Sequence, residues 1–263
     1  MNLIKAESIT VSFGGDSVIS SIDLTLQKGE WLGVLGPNGS GKSTLLRSLG
    51  RLITPKAGDL YLEGVSFKDI LAATFAKKVA ILPQQQTVNL PITVEDFVGL
   101  GRSPHQKWWQ FSLDSQDKQL VHEALRKTKM INYKSRLISS LSGGERQRVF
   151  IAMALAQNTD ILLLDEPTTY LDVNYQLEIL ELLKSLNTEA NISIITVLHN
   201  LDLASRYCDR IALMKAGHLI TIGQTYKVVK SSFLEDVFAV EFSRIQTPLG
   251  FYLNPIRTID KKV

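Results

Sequence analysis

The most constraining feature of the chain is a glycine-rich segment that directly follows a short apolar run, Trp31 to Leu35. This segment matches the pattern G-x-x-x-x-G-K-[ST] and consists of Gly36, Pro37, Asn38, Gly39, Ser40, Gly41, Lys42, Ser43 and Thr44. Glycines let the backbone curl so that successive N–H groups point inward, and the N-terminus of a following helix adds its positive dipole end. The sequence therefore predicts a strand, a phosphate-binding loop and a helix, in that order.

Two side chains of this loop have specific expected roles. Lys42 is expected to reach the β- and γ-phosphates of a nucleoside triphosphate, and the hydroxyl of Ser43 to hold Mg²⁺. The alternative is an ordinary glycine-rich turn between a strand and a helix. The apolar run before the loop and the helix-compatible residues after it, Ser43 to Leu49, favour the nucleotide.

Composition limits the classes of protein to which the chain can belong. Its 263 residues, 44% of them hydrophobic, suffice for one large α/β domain or two modest ones. The single cysteine, Cys208, cannot form an intramolecular disulfide and is expected to be a small buried residue. A net charge of +3, with basic and acidic residues intermixed, gives no reason to expect a nucleic-acid partner. No apolar stretch approaches the roughly 20 residues of a membrane-spanning helix, and no signal peptide is expected at the N-terminus.

Strand and helix patterns alternate along most of the chain. Leu3 to Phe13 and the alternating residues 22–27 predict an antiparallel β subdomain. Apolar runs at 161–164 and 192–198, each followed by a helical pattern, predict a mostly parallel sheet covered by helices. Between about Val88 and Gln157 the periodicity is helical, which indicates a helical insertion. The expected fold class is therefore α/β.

A pair of carboxylates follows the apolar run Ile161 to Leu164. Asp165 and Glu166 lie at the C-terminal end of this predicted strand, where open α/β sheets bind ligands. Asp165 is suited to hold Mg²⁺, and Glu166 to polarise the water that attacks a γ-phosphate. The alternative is a polar strand end that enters the turn at Pro167. The phosphate-binding loop in the same chain favours the catalytic interpretation.

A third motif precedes the helical pattern of Val149 to Ala156 and consists of Leu141, Ser142, Gly143, Gly144 and Glu145. Ser142 and Glu145 fit the capping-box pattern, which could begin any helix. A cap does not require two adjacent glycines, whereas close approach of the backbone to an anion at a helix N-terminus does.

Together, the three motifs resemble those of the ATPase subunit of ATP-binding cassette (ABC) transporters, and the resemblance covers nearly the whole chain. It implies a P-loop NTPase (RecA-like) core with a mostly parallel sheet, an N-terminal antiparallel β subdomain and an inserted helical subdomain. Residues 1–263 are then one domain, with the core and β subdomain at 1–87 and 158–230. The helical subdomain is expected at 88–157 and a C-terminal appendage at 231–263. ATP and Mg²⁺ are the implied cofactors.

The resemblance also assigns roles by position. Gln84 falls where the family has a glutamine that contacts Mg²⁺ and reports to the membrane subunit, and Asp172 falls in the D-loop. His199 occupies the switch-histidine position near a γ-phosphate oxygen. Phe13 lies where an aromatic ring, more often tyrosine, stacks on adenine, and Glu145 replaces the commoner glutamine. Each assignment has a structural alternative. Gln84 could be an exposed loop residue, and His199 could be an ordinary histidine at a strand end. Phe13 could belong to the core, and Asp172 could cap the helix that follows it.

These assignments give two sets of expected functional residues. The catalytic set is Lys42, Gln84, Glu166, Asp172 and His199. The ATP-binding set is Phe13, Gly36 to Thr44, Gln84, Leu141 to Glu145, Asp165 and His199, with Ser43, Gln84 and Asp165 as metal ligands.

The resemblance further implies partners, because in this family the signature motif of one protomer closes over ATP held by the other. One phosphate-binding loop and one signature motif per chain imply a head-to-tail homodimer with two ATP molecules in its interface. Integral membrane permease subunits would be driven by closure and opening of this dimer on the cytoplasmic face of the membrane. A substrate-binding protein would be an indirect partner, and no direct contact with cargo is expected.

The transporter subgroup is indicated by two further segments. Gly101 to His105 and Phe233 to Phe238 resemble the importers of ferric siderophores, haem and cobalamin, and we favour ferric chelates. Trp108 and Trp109 either contact the membrane partner or fill the helical insertion. A soluble non-transport ABC ATPase and a scaffold with an inactive site are the rival interpretations. The first usually carries two cassettes or a long coiled-coil insertion, and the intact motifs disfavour the second.

Overall fold

A computed structural model describes residues 1–84, 91–110, 112–169 and 171–259. The strands, in chain order, are β1 (Asn2–Phe13), β2 (Asp16–Gln27), β3 (Trp31–Leu35), β4 (Ala57–Leu62), β5 (Val65–Ser66), β6 (Val79–Leu82), β7 (Ile161–Asp165), β8 (Ser193–Val197), β9 (Arg210–Lys215), β10 (His218–Gln224), β11 (Val240–Thr247) and β12 (Gly250–Thr258). The α-helices are α1 (Lys42–Leu49), α2 (Ala72–Ala76), α3 (Val94–Gly99), α4 (Ser115–Lys127), α5 (Gly143–Ala156), α6 (Val173–Glu189), α7 (Leu201–Tyr207), α8 (Thr225–Lys230) and α9 (Phe233–Phe238).

Backbone contacts divide the chain into two compact units. The first unit comprises residues 1–69 and 193–263, and the second comprises residues 70–192. The domain division expected from the sequence stays a prediction. Its boundary between residues 87 and 88 lies outside the described residues, as do the last residues of the expected appendage, 260–263.

Besides the C-terminal hairpin described below, the first unit contains strands of two sheets that share no strand. One sheet has the order β2-β1-β4-β5 with antiparallel pairing throughout, as expected for the β subdomain. In the other, β3 lies between β8 and β9 and runs parallel to both, and β10 pairs antiparallel with β9. All five residues of β3 are buried, so its sequence is continuously apolar rather than alternating.

The buried polar atom of β3 in this unit is paired, and a small side chain packs on the strand. The indole Nε1 of the fully buried Trp31 donates to Thr196 Oγ1 on β8 at 2.8 Å. Cys208 is also buried, as expected, and packs where Gly33 leaves room: a Cβ at Gly33 would lie 2.8 Å from the sulfur. These contacts fix the strand that leads into the phosphate-binding loop.

The second unit contains the parallel pair β6 and β7 and a group of helices. Helices α3, α4 and α5 pack against one another, and α5 also contacts β6. The helical insertion expected from the sequence is therefore confirmed as helical. Trp108 and Trp109 are 88% and 54% exposed, so the alternative in which they fill the insertion is wrong.

A buried ion pair holds the helices of this unit together. Arg102, in a 3-10 segment after α3, donates from Nε to Asp117 Oδ1 at 2.7 Å and from Nη1 to the carbonyl oxygen of Ala156 at 2.8 Å. Both charged side chains are almost completely buried. Arg102 thus joins the first turn of α4 to the C-terminal end of α5.

The end of the chain has more structure than the sequence analysis expected. Helices α8 and α9 are followed by an antiparallel hairpin of β11 and β12, in which Ile245 lies opposite Tyr252. The hairpin belongs to the first unit, and β12 packs against α7. Among all the described residues, no helix combines the length and apolar character that crossing a membrane requires.

The Arg102 ion pair predicts a large stability effect. Arg102→Met should lower the free energy of unfolding by about 3–5 kcal/mol, because it leaves the Asp117 carboxylate buried without its cation. Urea unfolding of the full chain measures this change. Arg126→Met, on the exposed part of α4, is the control and should change stability by less than about 0.5 kcal/mol. Equal stabilities of the two variants would contradict a structural role for the pair.

Candidate functional site

The phosphate-binding loop adopts a conformation that requires glycine at three positions. Gly36, Gly39 and Gly41 have φ values of +156°, +75° and +94°, a region that side chains with a Cβ rarely adopt. A Cβ at Gly36 would lie 2.2 Å from the carbonyl oxygen of Met214, and one at Gly41 would lie 2.5 Å from Ile19 Cγ2. Backbone geometry and packing therefore both fix the curl of the loop.

Lys42 and Ser40 lie inside this curl. The Lys42 side chain is buried, and its Nζ donates to the carbonyl oxygens of Gly36 and Pro37, each at 2.9 Å. The Ser40 hydroxyl is also buried and has no hydrogen-bond partner within the described part of the chain. A buried cation and a buried hydroxyl without a partner are the groups expected in a cradle for an anion.

Helix α1 begins directly after the loop. Its N-cap residue is Gly41, which has no side chain to cap the helix. The N-terminus of the helix therefore relies on groups other than an N-cap side chain, consistent with an anion site. Ser43 and Thr44 lie in the first turn of this helix.

Two further expected residues lie in the same unit. Phe13 is the last residue of β1 and is 54% exposed, so the alternative in which it belongs to the core is wrong. His199 is also exposed and lies between β8 and Asn200, the N-cap of α7. Neither residue is used by the hydrophobic core, and adenine stacking by Phe13 stays a prediction.

The second unit contains the carboxylate pair at the end of β7. Asp165 is 2% exposed, and Glu166, at 9%, adopts a left-handed backbone with φ of +52°. Gln84 Nε2 donates to Glu166 Oε2 at 2.5 Å, and Thr169 Oγ1 donates to the same oxygen at 3.0 Å. The structure thus joins two residues that the sequence identified separately, Gln84 and Glu166.

Thr169 was not identified as a site residue from the sequence. Its hydroxyl holds one carboxylate oxygen of Glu166 while the backbone N–H of Thr169 donates to the Glu166 carbonyl at 3.3 Å. The sequence spacing could have identified Thr169, because a threonine three positions after an acidic residue can close a turn through its side chain. An arrangement with two donors on one oxygen orients the carboxylate.

The signature motif begins α5 through a capping box. Ser142 is the N-cap; its hydroxyl accepts from the N–H of Glu145 at 3.3 Å, and the Glu145 carboxylate accepts from the N–H of Ser142 at 2.8 Å. The Ser142 N–H donor holds the pKa of the Glu145 carboxyl below its ordinary value. Leu141 is buried beneath the start of the helix. The capping interpretation of Ser142 and Glu145 is therefore confirmed.

The two glycines of the motif have different surroundings. A Cβ at Gly144 would meet the ring of Tyr175, on α6, at 3.1 Å. Among the described residues, none lies within 4 Å of a Cβ at Gly143. Packing on Tyr175, which is distant in the sequence, therefore explains Gly144, whereas no described residue gives a packing reason for Gly143.

Asp172 is the N-cap of α6. Its Oδ1 accepts from the N–H of Tyr175 at 3.0 Å, so the capping alternative is confirmed for this residue. Tyr175, whose ring packs on Gly144, lies in the first turn of this helix. No group of three or more His, Cys, Asp or Glu residues in the described ranges is arranged to hold a metal ion.

Comparison with known proteins gives consistent results. The family described as "ABC transporter" matches residues 19–169. A probable siderophore transport system ATP-binding protein of Bacillus subtilis, YusV, is 41% identical over 95% of this chain and 90% of its own length. The petrobactin import ATP-binding protein FpuC of Bacillus anthracis is 42% identical over 93% of this chain and 89% of its own length.

Solved structures agree with the fold. An ABC transporter described as of metal-chelate type, in an inward-facing conformation, superposes with a TM-score of 0.84 and 26% identity over 98% of both chains. The dimeric ATP-binding cassette MJ0796, bound to ADP and phosphate, superposes with a TM-score of 0.72 and 29% identity, over 84% of this chain and 98% of its own. The expected α/β class with a P-loop core is thereby confirmed, and the chain belongs to the ABC transporter family as one of its ATP-binding ATPase subunits.

Proposed function

We propose that this chain is the ATP-hydrolysing subunit of a membrane importer for ferric siderophores or other iron chelates. The observation that carries the proposal is identity of 41–42% over nearly the full length to ATP-binding proteins named for siderophore transport and petrobactin import. In this proposal the chain works at the cytoplasmic face of the membrane with separate permease subunits. Cargo is delivered by a substrate-binding protein and does not contact this chain.

ATP is bound through its phosphates by the loop of Gly36 to Thr44. The buried ammonium of Lys42 and the buried hydroxyl of Ser40, which has no partner among the described residues, support this assignment, because both lie inside the curl. Binding exchanges the loop carbonyls around Lys42 for phosphate oxygens, which are stronger acceptors for a cation. The exposed ring of Phe13 is available to stack on the adenine.

Ser43, Gln84 and Asp165 would hold Mg²⁺. A hydroxyl, an amide and a carboxylate offer the oxygen donors that this ion prefers, so the donor set fits the metal. When bound, the ion neutralises charge on the β- and γ-phosphates.

Glu166 is the general base for hydrolysis. Its carboxylate takes a proton from the water whose oxygen bonds to the γ-phosphorus, while the bond to the bridging oxygen breaks and releases ADP. Gln84 and Thr169 support this role because both donate to one oxygen of Glu166, which fixes the direction of the carboxylate. His199 contacts the γ-phosphate, and Asp172 contributes by capping the helix of the D-loop.

The active form is a head-to-tail homodimer. Gly143 supports this arrangement, because no described residue of the chain lies within 4 Å of the place where its side chain would stand, at the N-terminus of α5. The anion at that helix is the γ-phosphate of ATP bound by the partner. The dimer of the similar cassette MJ0796 supports the same stoichiometry.

The role of Glu166 predicts a separation of binding from turnover. Glu166→Gln should keep ATP affinity but lower the rate of phosphate release by on the order of 10²-fold or more, because the base is lost. Fluorescent-nucleotide titration and a phosphate-release assay measure the two quantities. Glu123→Gln, on the exposed part of α4, is the control and should behave as wild type. If Glu166→Gln hydrolysed ATP at the rate of the control, Glu166 would not be the general base.

The same pair of variants tests the cargo. In a strain that lacks this chain, wild type and Glu123→Gln should restore uptake of a ⁵⁵Fe-labelled siderophore, and Glu166→Gln should not. Uptake of labelled cobalamin in parallel should not depend on the chain. Restoration of cobalamin uptake alone would overturn the iron-chelate assignment and leave the ATPase assignment intact.

The two signature glycines should respond differently to a single methyl group. Gly143→Ala should unfold at the wild-type temperature but lose at least about tenfold in ATPase rate, because the methyl group blocks the partner's nucleotide. Gly144→Ala should instead shift the unfolding temperature, because the Tyr175 ring, 3.1 Å from the added methyl group, must move to admit it. Thermal unfolding and steady-state ATPase assays separate the effects. Wild-type activity in Gly143→Ala would contradict a nucleotide contact at this motif.

A further inference from the structure

The helix that follows His199 is short and depends on its surroundings. Helix α7 has seven residues and begins after its N-cap Asn200, whose side chain accepts from the N–H of Leu203 at 3.0 Å. Helices of this length are not stable alone, so tertiary contacts determine where α7 lies. The position of α7 in turn fixes the backbone on the C-terminal side of His199.

The C-terminal hairpin makes two hydrogen bonds to side chains of α7. The N–H of Phe251 donates to Ser205 Oγ, and the N–H of Leu253 donates to Asp202 Oδ1, both at 2.7 Å. Alternate N–H groups of a strand point to the same edge. The side chains of Ser205 and Asp202 therefore bind the edge of β12 that is not paired with β11. Two bonds one helical turn apart fix the register between strand and helix.

The approach of β12 to α7 is also sterically close. Gly250 has a φ of +136°, and a Cβ there would lie 2.9 Å from the carbonyl oxygen of Ser205. Leu253, whose N–H bonds to Asp202, is itself buried. The hairpin is therefore packed on the helix rather than resting loosely beside it.

The backbone on the other side of His199 is fixed separately. The N–H of Leu198 donates to the carbonyl oxygen of Val34, on β3, at 3.2 Å. His199 is thus placed between a point held by the strand that enters the phosphate-binding loop and a helix held by the C-terminal hairpin. Only Asn200 separates His199 from α7, so a shift of the helix would also move the imidazole.

From these contacts we propose that Asp202 and Ser205 are positioning residues for His199, and that the C-terminal hairpin sets the rate of ATP hydrolysis through α7. This inference rests on the proposed contact of His199 with the γ-phosphate. The hairpin acts on the hydrolytic step and not on nucleotide binding, because the phosphate-binding loop is fixed by its own glycines and by Met214.

Steady-state kinetics of the full chain test the inference. Asp202→Ala should lower kcat by about five- to tenfold, since a displaced contacting group loses most of its effect. KM should stay within about twofold of wild type, because binding interactions remain. Asp202→Asn should restore kcat, since its amide oxygen can accept the same bond from Leu253. Ser205→Ala should act in the same direction and carries the test if Asp202→Ala does not fold.

Two comparisons separate positioning from general loss of structure. Arg257→Ala removes an exposed ion pair to Glu241 on the same strand as the α7 contacts and should leave kcat unchanged. In a His199→Ala background, Asp202→Ala should have no further effect on kcat, because the group being positioned is already absent.

The outcomes distinguish failure of this inference from failure of the proposed function. If His199→Ala retains wild-type kcat, the assigned role of His199 is wrong. If His199→Ala lowers kcat but Asp202→Ala lowers it by the same factor in both backgrounds, His199 keeps its role and the positioning inference is overturned. A fall in kcat for Arg257→Ala equal to that of Asp202→Ala would also overturn it.

Discussion

The functional part of this protein depends on a backbone curl that only glycine allows at three positions. Gly36 approaches the Met214 carbonyl, and Gly41 approaches the Ile19 side chain, more closely than any residue with a Cβ could. The buried strand β3 delivers the chain to this curl, and Lys42 starts the helix that leaves it. An anion held there meets a cation, a hydroxyl and a helix N-terminus, all fixed before it arrives, so little ordering free energy is lost on binding.

Within the second unit, the direction of one carboxylate is also constrained. Glu166 has a strained backbone, and Gln84 and Thr169 both donate to one of its oxygens. Backbone strain of this kind often accompanies a functional site, because the surrounding structure must hold it. Gln84 also occupies the position expected to report to the membrane subunit, so its bond to Glu166 would link that contact to the proposed catalytic base.

The strands, the loop and the motifs could be predicted from the sequence because each is a local pattern. The run before Gly36, the alternation at residues 22–27 in β2, and the capping box at Ser142 and Glu145 are each contained within a few residues. Contacts between distant residues, such as the Tyr175 ring on Gly144, could not be predicted in this way. The β11–β12 hairpin was not predicted because its apolar residues do not form one buried face. Leu253 is buried, whereas Ile245 and Tyr252 are exposed. The exposure of Phe13 likewise depends on the strand end and not on the residue type.

The central claim is that a triphosphate bound at this loop is sealed by a second copy of the chain. Sedimentation velocity of the Glu166→Gln protein, which should bind ATP without consuming it, tests this claim most directly. Saturating Mg-ATP should double the mass of the sedimenting species, and replacement of ATP by ADP should return it to that of one chain. A single-chain mass at saturating Mg-ATP, with nucleotide binding verified in the same sample, would contradict the account.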